Sequence, residues 1–176
     1  GEAARDIVAL RAISSEGEQR RGARLYSLEK DPDHRLRLKV YQSEGAFALS
    51  DSVPGLENFG FRVVKVIPQE LDHGELGTIH EFTLDYPDNC RVGSLLDRAG
   101  SIEQAIASVL NGEAEDDAFN RLVVGAGLSA AEADWLRAIY RYLRQTGMGF
   151  TIYTVVDALA GAVPVTRAIL DHFVAR

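Results

Sequence analysis

The sequence predicts an α+β architecture: an antiparallel four-stranded sheet with helices on one face over residues 1–89, then an all-α helical domain over residues 90–176. Three observations carry that expectation. Residues 35–42 and 77–86 alternate apolar and polar side chains with the period of two of a half-buried strand. The predicted elements run helix, strand, strand, helix, strand, strand. From about Asp88 this β-branched alternation gives way to alanine, leucine and acidic residues at helical spacing, which sets a boundary near Asn89.

In the first half, Ile7, Val8, Leu10 and Ile13 predict a short amphipathic helix over residues 5–14, ahead of a polar loop from Ser14 to Gly22. Ala23 to Leu28 reads as a strand, and Asp31-Pro32-Asp33 as a turn, because proline presets the turn dihedral and aspartate bonds nearby backbone. In the strand at 35–42, Leu36, Leu38 and Val40 share one face and Arg35, Arg37, Lys39 and Tyr41 the other. Ser50 or Asp51 caps a helix carrying Val53, Leu56 and Phe59, with Pro54 in its first turn and Gly60 at its end. Phe61 to Ile67 is nearly continuously apolar, which predicts a well-covered strand bounded by Pro68. A loop holding His73-Gly74 leads into the last strand. This order is that of a ferredoxin-like βαββαβ unit circularly permuted to begin at its second helix. A hairpin and a right-handed crossover then give the spatial order 23–29, 35–42, 77–86, 61–70.

In the second half, Leu95, Leu96, Ala99, Ile102, Ile106 and Val109-Leu110 form one apolar stripe, which Gly100 splits or bends and Asn111-Gly112 ends. Glu113, Glu115, Asp116 and Asp117 crowd the positive end of the next helix and read as helix-start chemistry rather than metal ligands. Gly125-Ala126-Gly127-Leu128-Ser129-Ala130 has the look of a G-x-G-x-x-G/A dinucleotide turn. That motif needs a strand before it and a second parallel strand after it. Here a helical stripe of Phe119, Leu122, Val123 and Ala126 precedes it and no second strand follows. The glycines are helix punctuation: Gly127 supplies a left-handed terminus, and Ser129 with Glu132 has capping-box spacing. The helix at 130–146 places Leu136, Ile139, Tyr140 and Leu143 on one face. Arg137, Arg141 and Arg144 lie on the other, solvated or paired with nearby acids. Trp135 and the tyrosines read as core and rim. Residues 151–161 and 165–174 form two further helices joined around Pro164.

The 176 residues are 46% apolar and carry a net charge of −7, with a pI near 5.1. Such a field repels phosphate backbones, so nucleic acid is not an expected partner, and Arg20, Arg21 and Arg24 read as a solvated face. No apolar run approaches the roughly 18 residues that cross a bilayer, and no membrane partner is expected. With no signal pattern and a single cysteine, Cys90, the expected compartment is the cytoplasm. Met148 is the only methionine, and Arg176 directly follows a helical pattern, which suggests a piece of a larger polypeptide. Chemistry is sparse: His34, His73, His80 and His172 are scattered, Cys90 lacks a base partner, and no serine sits in a G-x-S-x-G elbow. No catalytic, cofactor-binding or metal-binding residue is predicted.

Gly112-Glu113-Ala114-Glu115-Asp116-Asp117-Ala118-Phe119-Asn120-Arg121-Leu122-Val123, Ala126-Gly127-Leu128-Ser129 and Arg141-Tyr142-Leu143-Arg144-Gln145 resemble the segment upstream of the catalytic domain in the large bacterial NAD-dependent glutamate dehydrogenases. So do Arg35 to Tyr41, Leu49-Ser50-Asp51, Pro54, and Leu56 to Val63. The resemblance covers nearly the whole chain from about residue 23. It implies a parent enzyme that oxidatively deaminates L-glutamate to 2-oxoglutarate and ammonia with NAD, its catalytic lysine and nucleotide-binding domain lying further along. It also implies an ACT-like, ferredoxin-like module of regulation and subunit contact, followed by helical motifs. The implied partners are the rest of the polypeptide and the other subunits of a homo-oligomer. The alternative expectation is a module binding an amino-acid effector through the loop Gln42 to Ala48 with Ser50 and Asp51, since a free helix start favours a carboxylate.

Overall fold

The computed structural model describes residues 2–15, 21–43, 47–71, 77–86 and 92–175; the expectations placed on His73-Gly74, Cys90 and residues 44–46 lie outside them. The element order is α1 (Glu2–Ser15), β1 (Arg21–Tyr26), β2 (Arg35–Gln42), α2 (Leu49–Asn58), β3 (Arg62–Leu71), β4 (Gly77–Asp85), α3 (Val92–Leu96) and α4 (Ala99–Leu110). A 3₁₀ turn (Ala118–Asn120) follows, then α5 (Arg121–Gly125), α6 (Ala130–Gln145), α7 (Ile152–Gly161) and α8 (Val163–Val174).

The strands form one antiparallel sheet ordered β1-β2-β4-β3, the order expected of the permuted unit. Because β2 and β4 are central, alternation there separates two complete faces. Leu36, Leu38 and Val40 of β2 lie opposite Leu84, Phe82 and His80 of β4, and the five apolar members of this set are wholly buried. Burying each such side chain contributes roughly 1.5–3 kcal/mol. The unit's other buried apolar residues include Leu56 from α2, Leu95 from α3, and Ile102, Ala105 and Ile106 from α4.

The opposite face carries Arg35, Arg37, Lys39 and Tyr41, and α1 adds cover to its far end. Leu10 and Ile13 pack with Tyr41 and Ile79. The inward stripe of α1 is Asp6, Leu10 and Ile13, whereas Val8 is 66% exposed. Asp6 accepts from Lys39 Nζ at 2.7 Å and Tyr41 Oη at 2.8 Å, which fixes α1 to β2 through buried polar groups. Gly77 opens β4 at φ 104° because a Cβ there would stand 2.3 Å from the Gln42 carbonyl.

The two edges differ. At β1 the backbone N–H groups of Arg21 and Leu25 donate to the side chains of Asn111 (3.1 Å) and Glu103 (2.6 Å), and Asn111 Nδ2 donates to the Arg21 carbonyl at 2.9 Å. Helix α4 and its C-terminal residue thus seal an edge that would otherwise be open to another chain. β3 is the other edge. The expectation of a well-covered strand bounded by Pro68 fails here: β3 continues through Pro68 to Leu71 and is mostly exposed, with Val64 at 49% and Ile67 at 37%. Its apolarity misleads because an edge strand needs no covering layer. A register shift between Val63 and Lys65, Lys65 itself and the missing N–H of Pro68 each obstruct strand addition.

Helix boundaries follow the punctuation with small shifts. α2 starts at Leu49, so Ser50 and Asp51 lie in its first turn rather than capping it, and Pro54 is interior. The stripe after residue 90 breaks between Leu96 and Ala99 rather than at Gly100. Gly60 and Gly112 end α2 and α4 with positive φ, as expected. The chain forms two compact units, Gly1–Glu57 with Phe61–Glu115, and Asn58–Gly60 with Asp116–Arg176. The first unit therefore runs on to Glu115 instead of closing near Asn89, because the edge-sealing contacts of α4 bind it to β1.

In the second unit Phe119, Leu122, Ala126, Leu128, Leu136, Val156 and Leu170 form the core. Gly127 has φ 67°, and the Ser129–Glu132 capping box is complete, with Glu132 N–H donating to Ser129 Oγ at 3.2 Å and Ser129 N–H to Glu132 Oε2 at 2.7 Å. The arginine stripe is divided between the two expected states, with Arg137 paired to nearby acids. Arg137 is 3% exposed, forks onto Asp117 at 2.8 and 2.9 Å, reaches Asn120 at 3.0 Å and also binds Asp134, while Arg141 and Arg144 are exposed.

Asn111→Ala removes both bonds to the Arg21 backbone and is expected to lower stability by about 1 kcal/mol, a partly buried donor and acceptor being left unmet. Urea denaturation measures this, and an unchanged midpoint would contradict the sealing role.

Candidate functional site

On the charged face of the sheet, β2 and β4 bring guanidinium and carboxylate groups into register. Arg37 forks onto Asp31 at 2.7 and 2.9 Å and gives its third N–H to Glu81 at 3.1 Å. Arg35, cross-strand from Asp85, reaches it at 2.9 Å, and Arg62 from β3 reaches the same carboxylate at 2.8 Å. Asp31 is held in place by its turn: its N–H donates to the Leu28 carbonyl at 2.9 Å and its Oδ2 accepts from the Leu28 N–H at 3.1 Å. A turn aspartate and a strand arginine six residues on therefore meet as an ion pair, a role for Asp31 beyond the turn chemistry read from the sequence.

These contacts determine what the groups can do. The Arg37 guanidinium bonded to Asp31 holds its carboxyl below the usual range, and Arg35, then Arg62, do the same for Asp85. Arg37 and Arg35 are in turn raised by Asp31 and Asp85. Burial, reinforced by Asp6, raises the Tyr41 phenol. General acid–base catalysis needs a group poised near the working pH, and every shift here moves a group away from neutrality. The lattice supplies fixed charge and rigid geometry.

A cavity of about 560 Å³ lies beside the lattice, lined by the β1–β2 connection and the start of α3, with Leu28, Glu29, Asp33, Arg35, Val92 and Leu96 among its residues. Its size suits a small ligand. It sits at the Arg35 end of β2, whereas the proposed effector loop begins at Gln42, the other end. There Gln42 is buried and accepts from Arg21 Nε at 3.1 Å, and Phe47 stacks on His80 with centroids 4.0 Å apart. Of the three arginines read as a solvated face, Arg20 lies outside the described residues, and Arg21 and Arg24 are partly buried; Arg21 also donates to the Leu110 carbonyl, and Arg24 lies over the Tyr26 ring.

His80 is 8% exposed, and burial alone lowers its pKa. His34 is exposed at 4.0 Å from Asp85, and His172 is in the last turn of α8. Among the described residues no three His, Cys, Asp or Glu side chains gather as a metal site, and no single helix is long and apolar enough to cross a membrane. The Gly125–Ala130 stretch joins two helices, and Ser129 takes up the free amide of Glu132.

The glutamate dehydrogenase ACT3 domain family matches residues 21–98, and the glutamate dehydrogenase helical motif 3 family matches residues 114–176. An NAD-specific glutamate dehydrogenase of Pseudomonas aeruginosa is 34% identical over 146 residues, covering 82% of this chain and 9% of the relative. One from Halomonas elongata is 32% identical over 150 residues, covering 85% and 9%. One from Mycobacterium tuberculosis is 26% identical over 152 residues, covering 82% and 9%. The chain thus spans about a tenth of the length of the relatives it matches.

Two pH windows follow. A depressed carboxylate stabilises the fold above its unfolded value of about 3.9 and loses that contribution as pH falls through the lower folded value. Asp85→Asn should therefore flatten the fall in the urea midpoint below about pH 4; a slope equal to wild type would refute the paired role. For His80, held neutral by burial, the unfolded chain binds the extra proton below about pH 6.5, so stability falls as pH drops from there. His80→Phe should remove that decline between about pH 6.5 and 5, again read from urea midpoints.

Proposed function

The chain belongs to the NAD-specific glutamate dehydrogenase family, carrying its ACT3 domain followed by its helical motif 3, and from that membership we propose that it is a non-catalytic regulatory and assembly segment of a long enzyme. The parent enzyme oxidatively deaminates L-glutamate to 2-oxoglutarate and ammonia, reducing NAD that binds outside residues 1–176. Its partners are the rest of that polypeptide and the other subunits of a homo-oligomer, and its compartment is the cytoplasm. The observation that carries this reading is the succession of the two family matches, residues 21–98 and then 114–176, and its non-catalytic part is supported by the charged face of the sheet, where Asp31, Asp85 and Glu81 are taken up by Arg37, Arg35 and Arg62.

A second reading has its own support. The cavity of about 560 Å³ beside Arg35 is large enough for an amino acid, with a cation and carboxylates in its lining. On that reading the unit is an effector-binding module, with its ligand at the Asp31 end of the sheet rather than at Gln42 to Ala48.

Incubated with glutamate and NAD, the purified 176-residue chain should form no NADH by absorbance, and measurable turnover would overturn the non-catalytic assignment. Thermal shift against the amino acids separates the two readings. No shift leaves the assembly role standing, and a saturable shift abolished by Arg35→Gln selects the effector role.

A further inference from the structure

Helix α8 buries Thr166 and Leu170 and leaves Val165, Ile169 and Phe173 58%, 40% and 51% exposed. Steps of four residues put these three side chains on one ridge, about 12 Å long at 1.5 Å per residue. At one end the ridge meets Trp135 of α6, whose ring centroid lies 5.8 Å from that of Phe173. At the other, Val165 lines an open groove of about 440 Å³ between α7 and α8, together with Phe150, Val155, Ala158, Leu159 and Ala162. Among the described residues no charged side chain lines the groove, and the charged residues nearest to it in sequence are engaged elsewhere: Asp157 with Arg121 at 2.8 Å, and Arg167 with Glu132 at 2.9 Å and the Gly127 carbonyl.

A continuous apolar strip of this kind on a small helical unit marks an interaction surface. Its form narrows the occupant. A ridge of side chains spaced four residues apart is the feature that packs between the ridges of another helix, and Ala158 and Ala162 let a second backbone come close. The absence of charge in the lining calls for an apolar face rather than an acidic or basic peptide. The relatives matched here extend over roughly ten times the length that this chain covers, 9% of each being aligned, so a helix from elsewhere in one polypeptide is available at high effective concentration. We propose that the strip from the α7–α8 groove to Trp135 is the seat of an amphipathic helix, about three turns long, supplied by the same polypeptide outside residues 1–176. This rests on the reading of the chain as a segment of a longer enzyme.

The test is a photoreactive benzoylphenylalanine placed at Val165, and separately at Ile169, of the full-length polypeptide, with crosslinked peptides read by mass spectrometry. Both positions are exposed, so the replacements leave the core intact. The expected result is a crosslink at both positions, within one subunit, to an apolar-faced helical peptide outside residues 1–176. Crosslinks joining residues 1–176 of two subunits would overturn the proposal in favour of self-association, and no crosslink at either position would overturn it outright. Glutamate-dependent NADH formation by the same preparations keeps the premises apart. An active enzyme without the crosslink removes the docking seat alone, whereas an inactive wild-type polypeptide removes the enzyme reading.

Discussion

A four-stranded sheet leaves two strands with one side unbonded, and most of the first unit follows from how those sides are handled. At β1 the outward N–H groups of Arg21 and Leu25 are taken by Asn111 and Glu103. Those bonds require α4 to lie along β1, which extends the first unit to Glu115 and fixes Arg21, whose side chain reaches Gln42 and Leu110. β3 is left mostly exposed. A register shift, a lysine and a proline make the strand a poor template, so its exposed valine and isoleucine are tolerated. One edge is closed by bonding and the other by irregularity.

The second constraint is charge. Arg35, Arg37 and Lys39 stand on one face of a central strand, where they cannot all be left in water once α1 crosses it. Arg35 meets Asp85 of β4, Arg37 meets Asp31 of the turn and Glu81 of β4, and Lys39 meets Asp6 of α1. Partly buried pairs such as Arg35–Asp85 and buried ones such as Lys39–Asp6 add less stability than their Coulomb energy suggests, because both groups were desolvated. Their main effect is on geometry, since removing either partner leaves a costly lone charge. Groups committed this way are poorly suited to proton transfer.

The strand order, the capping box and the glycine-ended helices were legible in the sequence because each rests on local or period-two information. β2 ends where its alternation ends, and Gly127 marks a left-handed residue whatever surrounds it. What could not be read depends on partners distant in sequence. Asp6 belongs to the inward stripe of α1 only because Lys39 and Tyr41, more than thirty residues on, receive it. β3 and a buried strand have the same composition, and only its place in the sheet tells them apart. The boundary set near Asn89 followed composition, whereas the fold's boundary follows the reach of α4. The cavity by Arg35 gave no signal, its lining being a turn and a helix start about sixty residues apart.

The glycine pair at 125–127 shows how far a local motif can carry. Its spacing is that of a nucleotide turn, but a phosphate site needs free amides at a helix start, and here the first turn of α6 is already occupied by Ser129 and Glu132. Beyond that turn, Arg137 points inward to Asp117, the residue that also caps the preceding 3₁₀ turn by accepting from Phe119 N–H at 2.9 Å. One aspartate thereby ties the entry of the helical unit to the middle of its longest helix. The polar face of α6 is divided: Arg137 turns inward while Arg141 and Arg144 stay exposed, and exposed apolar side chains lie along α8 at Val165, Ile169 and Phe173. The Gly125–Ala130 stretch is accounted for by the capping of α6, and its spacing needs no phosphate to explain it.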